Sequence, residues 1–584
     1  MATYVVNSAA ANDSGAGTAG DPWKYIPGMA SANGAHTLVA NVDTVEIVNG
    51  SAFTERLTTV ADGILYRGRG IGGTSIVVRT QDSIPAGSIA TEHTFVRTAA
   101  TNEGSWQIDL TGNAERTNGA DEYCLWVQHE GCTFEDIEII GGAYAQVSGN
   151  AHTVYLEPEA TQTTFNRFLI TGSAVTYTTG GGGGRTYSTG ASNGGRGMYC
   201  DAGGLTLYQG AIKYAGSDCL SLRGRLTGFV SDLTCSVRYC EFTDPNTGWD
   251  GASYVARQGD TIQMNPSTVG TEQGVCEIDL LLEHCYLWKT DPNKQALVMQ
   301  GSNNPQYVRY NLFEGVAGGA CSILSNLIRS TITISENYFK SPSPTLAVMR
   351  VTVPDDWNDT EDPVELCHAA GALVITNNIV SGNCGPFLQI TTNNNGTGVP
   401  LTATLTWEGD LTVTGNFYLS EETGPGETSS GNASGLLLHS STNVLKWLET
   451  AVVTVSDNEF WSYEKNDNDV ITHIPTFILP PQLYGAGPTY TPSLIQASTN
   501  WIITDNYFRR TAASPSAANA TTFQVGVTGD QNTGTGVTTY QDIDASTTGV
   551  EAFEAAMAAA SGNFESFADE SGGGYVGGGR VMMV

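Results

Sequence analysis

Val308-Arg-Tyr-Asn311-Leu-Phe, Ile334-Ser-Glu-Asn337-Tyr-Phe, Ile375-Thr-Asn-Asn378-Ile-Val and Val413-Thr-Gly-Asn416-Phe-Tyr repeat one phrase. It returns as Val455-Ser-Asp-Asn458-Glu-Phe and Ile503-Thr-Asp-Asn506-Tyr-Phe. Two earlier copies, Val237-Arg-Tyr-Cys240-Glu-Phe and Leu282-Glu-His-Cys285-Tyr-Leu, carry Cys in place of Asn. From Cys240 onward the spacings are 45, 26, 26, 41, 38, 42 and 48 residues. A floor of 26 with irregular excess is the mark of a stacked repeat with loops inserted into some turns. Thr, Val, Ile and aromatic residues fill the phrase at period two, which predicts strands. Asn tolerates the left-handed conformation of a sharp bend, so the phrase places Asn at the bend. If successive turns stack at the ~4.8 Å spacing of neighbouring strands, those side chains form a ladder of amide hydrogen bonds. Cys240 and Cys285 extend it as compact residues. Antiparallel hairpins would show two-residue Asn-Gly or Asp-Gly loops, which are scarce here.

Around this phrase lies an acidic chain of 584 residues, with 26 basic and 59 acidic side chains and a net charge of −33. Such a surface repels nucleic acid and anionic membranes, so neither is expected as a partner. No run of 18 apolar residues occurs, so no membrane insertion is expected. Gly makes up 69 residues, well above the usual ~7%. Met1-Ala-Thr-Tyr-Val-Val-Asn7 has no basic region and no apolar run, which predicts a chain made without a secretory leader. All eleven cysteines fall between Cys124 and Cys384 without a Cys-x-x-Cys pair, which predicts packed, reduced thiols. The Lys-poor, evenly acidic exterior suits high ionic strength and a saline source.

The repeated phrase resembles the coil signature of right-handed parallel β-helix proteins, the pectin-lyase-like superfamily. The opening is similar to that of many such chains: Tyr4-Val-Val, Asn12-Asp-Ser-Gly-Ala-Gly-Thr18, Asp21-Pro-Trp-Lys24, then Asp43-Thr-Val-Glu-Ile-Val-Asn-Gly50, Phe53-Thr-Glu55 and Gly63-Ile-Leu-Tyr-Arg-Gly68. The likeness covers roughly residues 3–510. It implies an all-β, right-handed parallel β-helix solenoid with inserted loops and a small C-terminal cap or assembly segment. Residues 1–70 read as N-terminal capping coils, 71–512 as the β-helix and 513–584 as the cap. Within that last segment Gly549–Ala560 has the pattern of a short amphipathic helix, and Gly572–Val584 is a Gly-rich tail. Residues 172–197 read as a flexible Gly/Ser/Thr loop.

This fold hosts many activities, so function has to come from a site. Ala215-Gly-Ser-Asp218-Cys-Leu-Ser-Leu222 resembles the Gly-Asp-Asp-Cys strand of polygalacturonase-type hydrolases, with Ser217 in place of the first Asp and no Gly-His-Gly after it. Asp201 precedes Asp218 by 17 residues and Asp232 follows by 14, about one coil either side. Asp201, Asp218 and Asp232 are thus the catalytic candidates, since glycan hydrolysis needs carboxylates close enough to divide acid and base roles. The alternative for Asp218 is a polar residue at the end of a buried strand. Arg257-Gln-Gly-Asp260-Thr-Ile-Gln263 looks like an exposed β-helix strand, and with Glu283 it forms a candidate glycan-binding set of Arg257, Asp260, Gln263 and Glu283. Trp249 and Trp288 would stack on sugar rings. No cofactor is expected. The acidic runs Asp355–Asp362 and Asp467–Asp469 are the places where Ca²⁺ could bind, although their spacing fits no EF-hand.

The resemblance implies a phage virion appendage, tailspike-like or a capsid or tail decoration, whose rod binds bacterial surface polysaccharide. It would be a homotrimer held on the virion by other virion proteins after synthesis in the host cytoplasm. The alternatives are an extracellular polysaccharide lyase or glycoside hydrolase of the same superfamily, and a purely structural decoration protein.

Overall fold

A computed structural model describes residues 2–69, 106–110, 123–141, 152–171, 196–213, 218–223, 234–243, 259–264, 278–289, 295–302, 304–315, 321–328, 330–340, 347–353, 368–382, 384–392, 404–421, 451–463, 500–504 and 507–511, with single residues and short strands elsewhere. Every regular element among them is a β-strand. Pairing between the named strands is parallel except in two short hairpins, Val78–Thr80 with Val96–Thr98 and Thr176–Tyr177 with Arg185–Thr186. The chain is a parallel β solenoid, as its repeat predicts. It divides into two compact units, Met1–Ser83 with His93–Val298, and Ile84–Glu92 with Met299–Val584.

In the first unit each coil gives a strand to each of two sheets. The first sheet runs through Thr3–Val6, Thr44–Val48, Leu65–Arg69, Thr133–Ile140, Thr164–Thr171, Thr206–Lys213 and Thr234–Thr243, then Asp279–Glu283 and Tyr286–Lys289. The second runs through Leu57–Thr58, Tyr123–Val127, His152–Leu156, Met198–Cys200, Leu220–Leu222 and Ile262–Met264. Alternation sends Leu125, Val127, Val154, Leu156, Met198, Cys200, Leu220 and Leu222 inward, all fully buried. Because the register is parallel, like side chains stack on like. Tyr66, Phe134 and Phe165 form such a pile, with ring centres 5.1 and 5.0 Å apart.

The second unit follows the phrase more closely. One leg comprises Gln306–Arg309, Ile332–Ser335, Leu373–Thr376, Leu411–Thr414, Val452–Ser456 and Asn500–Thr504. The next comprises Leu312–Gly315, Tyr338–Lys340, Ile379–Gly382, Phe417–Glu421, Glu459–Tyr463 and Tyr507–Thr511. Phe564–Ala568 adds one more parallel strand beside Tyr507–Thr511. Ile323–Ile328, Met349–Val353, Leu388–Thr392, Leu436–Leu438 and Ile478–Leu479 make a further sheet. The helix expected at 549–560, the tail 572–584 and Asn506 lie outside the described residues.

Between the two legs the asparagines stack. Asn311, Asn337, Asn378, Asn416 and Asn458 are all buried. Each amide donates to the carbonyl oxygen of the next: Asn311 to Asn337, Asn337 to Asn378 and Asn378 to Asn416 at 3.0 Å, and Asn416 to Asn458 at 2.9 Å. The same oxygens accept backbone N–H groups one coil away. The left-handed residue, however, is the one before each Asn. Tyr310, Glu336, Asn377 and Asp457 have φ of 59°, 56°, 54° and 56°, and Gly415 has 70°. The bend and the ladder are separate tasks. One residue turns the chain with its side chain outside, and the Asn that follows satisfies the backbone groups that the bend leaves unpaired inside.

The first unit has the same bend at Asp136, Arg167, Gln209, Tyr239 and His284, with φ between 52° and 58°. Here Ile137, Phe168, Gly210, Cys240 and Cys285 follow it. The Cys285 thiol lies 3.5 Å from the carbonyl of Val237 and 3.2 Å from that of Glu283. Those carbonyls correspond to Ile334 and Thr376, which accept from Asn378 at 2.8 and 3.2 Å. Cysteine thus takes the ladder's place as a compact, weaker donor. Gly210 is needed for a different reason: a Cβ there would lie 2.3 Å from the Phe168 ring stacked against it.

Candidate functional site

The parallel register of the second sheet in the first unit lines up one outward column. Thr58 pairs with Trp126, Trp126 with Tyr155, Tyr155 with Tyr199, Tyr199 with Ser221 and Ser221 with Gln263. Trp126 and Tyr155 are half-buried. Two residues further along the strands come Gln128, Glu157, Asp201 and Arg223, again in register. Neighbouring coils therefore repeat an aromatic-x-acid unit, Tyr155-Leu-Glu157 and Tyr199-Cys-Asp201. Glu157 and Asp201 are register neighbours on adjacent strands, whose backbones lie about 4.8 Å apart.

The aromatic column holds both acids. The Trp126 indole N–H donates to Glu157 Oε1 at 2.9 Å, and the Gln128 amide donates to the same atom at 3.3 Å. The Tyr155 hydroxyl donates to Asp201 Oδ2 at 3.0 Å. Burial, then the Asp201 charge beside it, drives the Tyr155 phenol well above its ordinary pKa, so it stays a donor. Tyr199 is pushed up to about 12, first by burial and then by Asp201.

Cations cover the other side. The Arg196 and Arg223 guanidiniums lie 5.0 and 5.6 Å from the Tyr199 ring centre, and Arg56 lies 5.1 Å from that of Trp126. His152 stacks on Tyr199 at 4.6 Å and is 4% exposed. Burial first, then the Arg196 and Arg223 charges, press its pKa down to about 3, so the imidazole is neutral.

The sequence-predicted residues are distributed over this frame. Asp201 sits in the site. Asp218 lies at the other end of the strands: its carboxylate takes Arg196 Nε at 2.9 Å and the backbone N–H of Asp260 at 2.9 Å. Five residues of strand, roughly 16 Å, separate its register position from that of Asp201, so the two do not form a pair. Asp260 repeats the turn, accepting the N–H of Gln295 at 2.9 Å. Gln263 belongs to the outward aromatic column. Glu283 and Trp288 fall on the first sheet instead, Glu283 paired with Arg238 at 2.9 Å. Asp232, Trp249, Arg257 and the acidic runs 355–362 and 467–469 lie outside the described residues. Among the described residues no group of three or more His, Cys, Asp or Glu is placed to hold a metal ion, and no helix is long and apolar enough to cross a membrane. The sequence reading missed Glu157, Trp126, Tyr155 and Tyr199. The aromatic-x-acid unit one coil apart was the signal for them, hidden because these strands lack the repeated Asn.

No protein-family model matches the chain, and no curated protein matches it. Two solved structures of GH136 lacto-N-biosidase from Eubacterium ramulus, native and selenomethionine, each align over 87% of this chain and 67% of theirs. Identity is 12% and 10%, and the TM-scores are 0.25 and 0.22. Likeness at that level carries no argument, and the solenoid stands on its own strand register.

Proposed function

We propose that this is a carbohydrate-active protein that binds a glycan along the Trp126–Tyr155 column and cleaves it with Glu157 and Asp201. The observation that carries the reading is the pair of carboxylates on adjacent coils, each held by an aromatic donor of a half-buried ring. Rings of this kind stack on the apolar faces of sugars, and carboxylates accept from their hydroxyls. The reaction we propose is a double displacement, which needs the two carboxyl groups about 5 Å apart: one attacks the anomeric carbon while the other protonates the leaving oxygen. The second group then deprotonates the water that releases the glycosyl group, so anomeric configuration is retained. The test is a panel of polysaccharides followed by reducing ends and by absorbance of unsaturated products. Turnover with new reducing ends, retention by NMR, and a fall of about 10²-fold or more in Asp201→Asn and Glu157→Gln support it. Unsaturated products would make the reaction an elimination, and no turnover on any glycan would remove the catalytic part.

Display on a virion is the finer reading, and the buried, reduced state of nine cysteines among the described residues favours assembly in a reducing compartment. It rests otherwise on the resemblance of the repeated phrase. Homotrimers, virion partners and bacterial surface polysaccharide belong to it, and copurification of the chain with particles tests it.

A further inference from the structure

Most arginines of the first unit's outer faces have acidic partners. Arg67 pairs with Glu46, Arg167 with Asp136 at 2.6 Å and Arg238 with Glu283 at 2.9 Å. Arg223 differs. Among the described residues its guanidinium forms no ion pair with a carboxylate and rests on the Tyr199 ring, and its Nε, like that of Arg238, is buried without a hydrogen-bond partner. Arg196 approaches the same ring and, among the described residues, spends only its Nε, on Asp218. Among the described residues of a chain of net charge −33, Arg223 and Arg350 are half-buried guanidiniums that no acid meets. Partial desolvation of an unpaired charge is costly unless an anion arrives to meet it.

Resting on the glycan reading of this face, we propose that Arg196 and Arg223 receive an anionic substituent, a carboxylate or a sulfate ester, on the sugar bound beside Tyr155. The planar guanidinium matches both oxyanions with two parallel N–H donors. Tyr199, sealed under the two arginines, sets their distance from the column and is not itself the stacking platform. Asp218 holds Arg196 in place and acts as a positioning residue. Neutral His152 beneath the pair adds no competing positive charge, and its buried Nδ1 has no hydrogen-bond partner among the described residues. The protein's overall negative charge repels a polyanion at long range, so selectivity for one has to be made locally, by groups such as these.

The test is equilibrium binding of the full chain to three probes of matched length: a polyuronate, a sulfated galactan and an unsulfated galactan. At least one anionic probe is expected to bind about tenfold or more tightly than the neutral one. Inorganic sulfate is expected to displace that probe more than chloride does at equal ionic strength. In Arg223→Gln, with unchanged circular dichroism, the anionic-to-neutral ratio falls about tenfold, and Arg223→Lys recovers part of it. The preferred anionic probe identifies carboxylate or sulfate as the substituent. Equal binding of all three, or an unchanged ratio in Arg223→Gln, overturns the anion site and leaves the glycan reading standing. Binding of none overturns both. Should Arg223→Gln not fold, the sulfate competition on the unaltered chain decides.

Discussion

At the residue scale, the buried amide column does two things at once: it satisfies the carbonyls at the bend and ties each coil to the next. Asn378 donates to Asn416 and to the carbonyls of Ile334 and Thr376, and accepts from Asn337. Asn378→Ala leaves those groups unpaired in a dry interior and should lower stability by about 2–4 kcal/mol in urea unfolding. Asn378→Cys, which copies the first unit's own solution at Cys285, should cost less than half as much. Equal losses would mean that the thiol does not replace the amide. His152 gives a second prediction. Its pKa falls from 6.5 in the open chain to about 3 in the fold, so between those values the unfolded chain binds the extra proton. Stability is therefore lost as pH falls through that window, by up to about 1.4 kcal/mol per pH unit. His152→Phe keeps a ring between Tyr123 and Tyr199 and removes the titration. Its stability profile should be flatter than that of the unaltered chain from pH 6 to 4, whereas parallel profiles would mean that His152 is not buried neutral.

At the scale of the element, the left-handed residue before each ladder position sets the angle between legs. Glu336 holds φ 56° and accepts from Asn377 on the neighbouring coil at 2.8 Å. A β-branched residue fits that conformation badly, so Glu336→Val should cost about 1–2 kcal/mol more than Glu336→Asn. Matching unfolding midpoints for the two variants would contradict the assignment of the bend. The division of labour here also explains what the sequence could and could not disclose. The ladder was legible because Asn recurs at one position with β-formers at period two around it. Its neighbour was not, because Tyr310, Glu336, Asn377, Gly415 and Asp457 share a backbone angle and no side-chain chemistry. The same holds for the site. Asp201 could be named, since an acid one coil from a recognisable strand invites it. Glu157 could not, because its relation to Asp201 is register across 44 residues, fixed by the pairing of Leu156 with Cys200. Asp218 drew notice through its likeness to a hydrolase strand, and the structure places it at the opposite end of the strands from Asp201, held by Arg196 and the Asp260 N–H.

At the scale of the whole molecule, 59 acids against 26 bases leave a net charge of −33 that opposes compactness. Salt screens this repulsion, so the melting temperature should rise between low and molar NaCl, and a flat or falling curve would contradict the saline reading. The buried thiols, the amide ladder and the stacked aromatics follow from one cause, parallel coils that bring position n of each turn onto position n of the next. The proposed glycan site rests on it as well, because that register brings Trp126, Tyr155, Glu157 and Asp201 to one face. A crystal structure of the Glu157→Gln variant soaked with an oligosaccharide that the protein binds tests this most directly. Sugar density over the Trp126 and Tyr155 rings, with a glycosidic oxygen within hydrogen-bond reach of Asp201, is the predicted result. Sugar bound on another face, with that column bare, would contradict it.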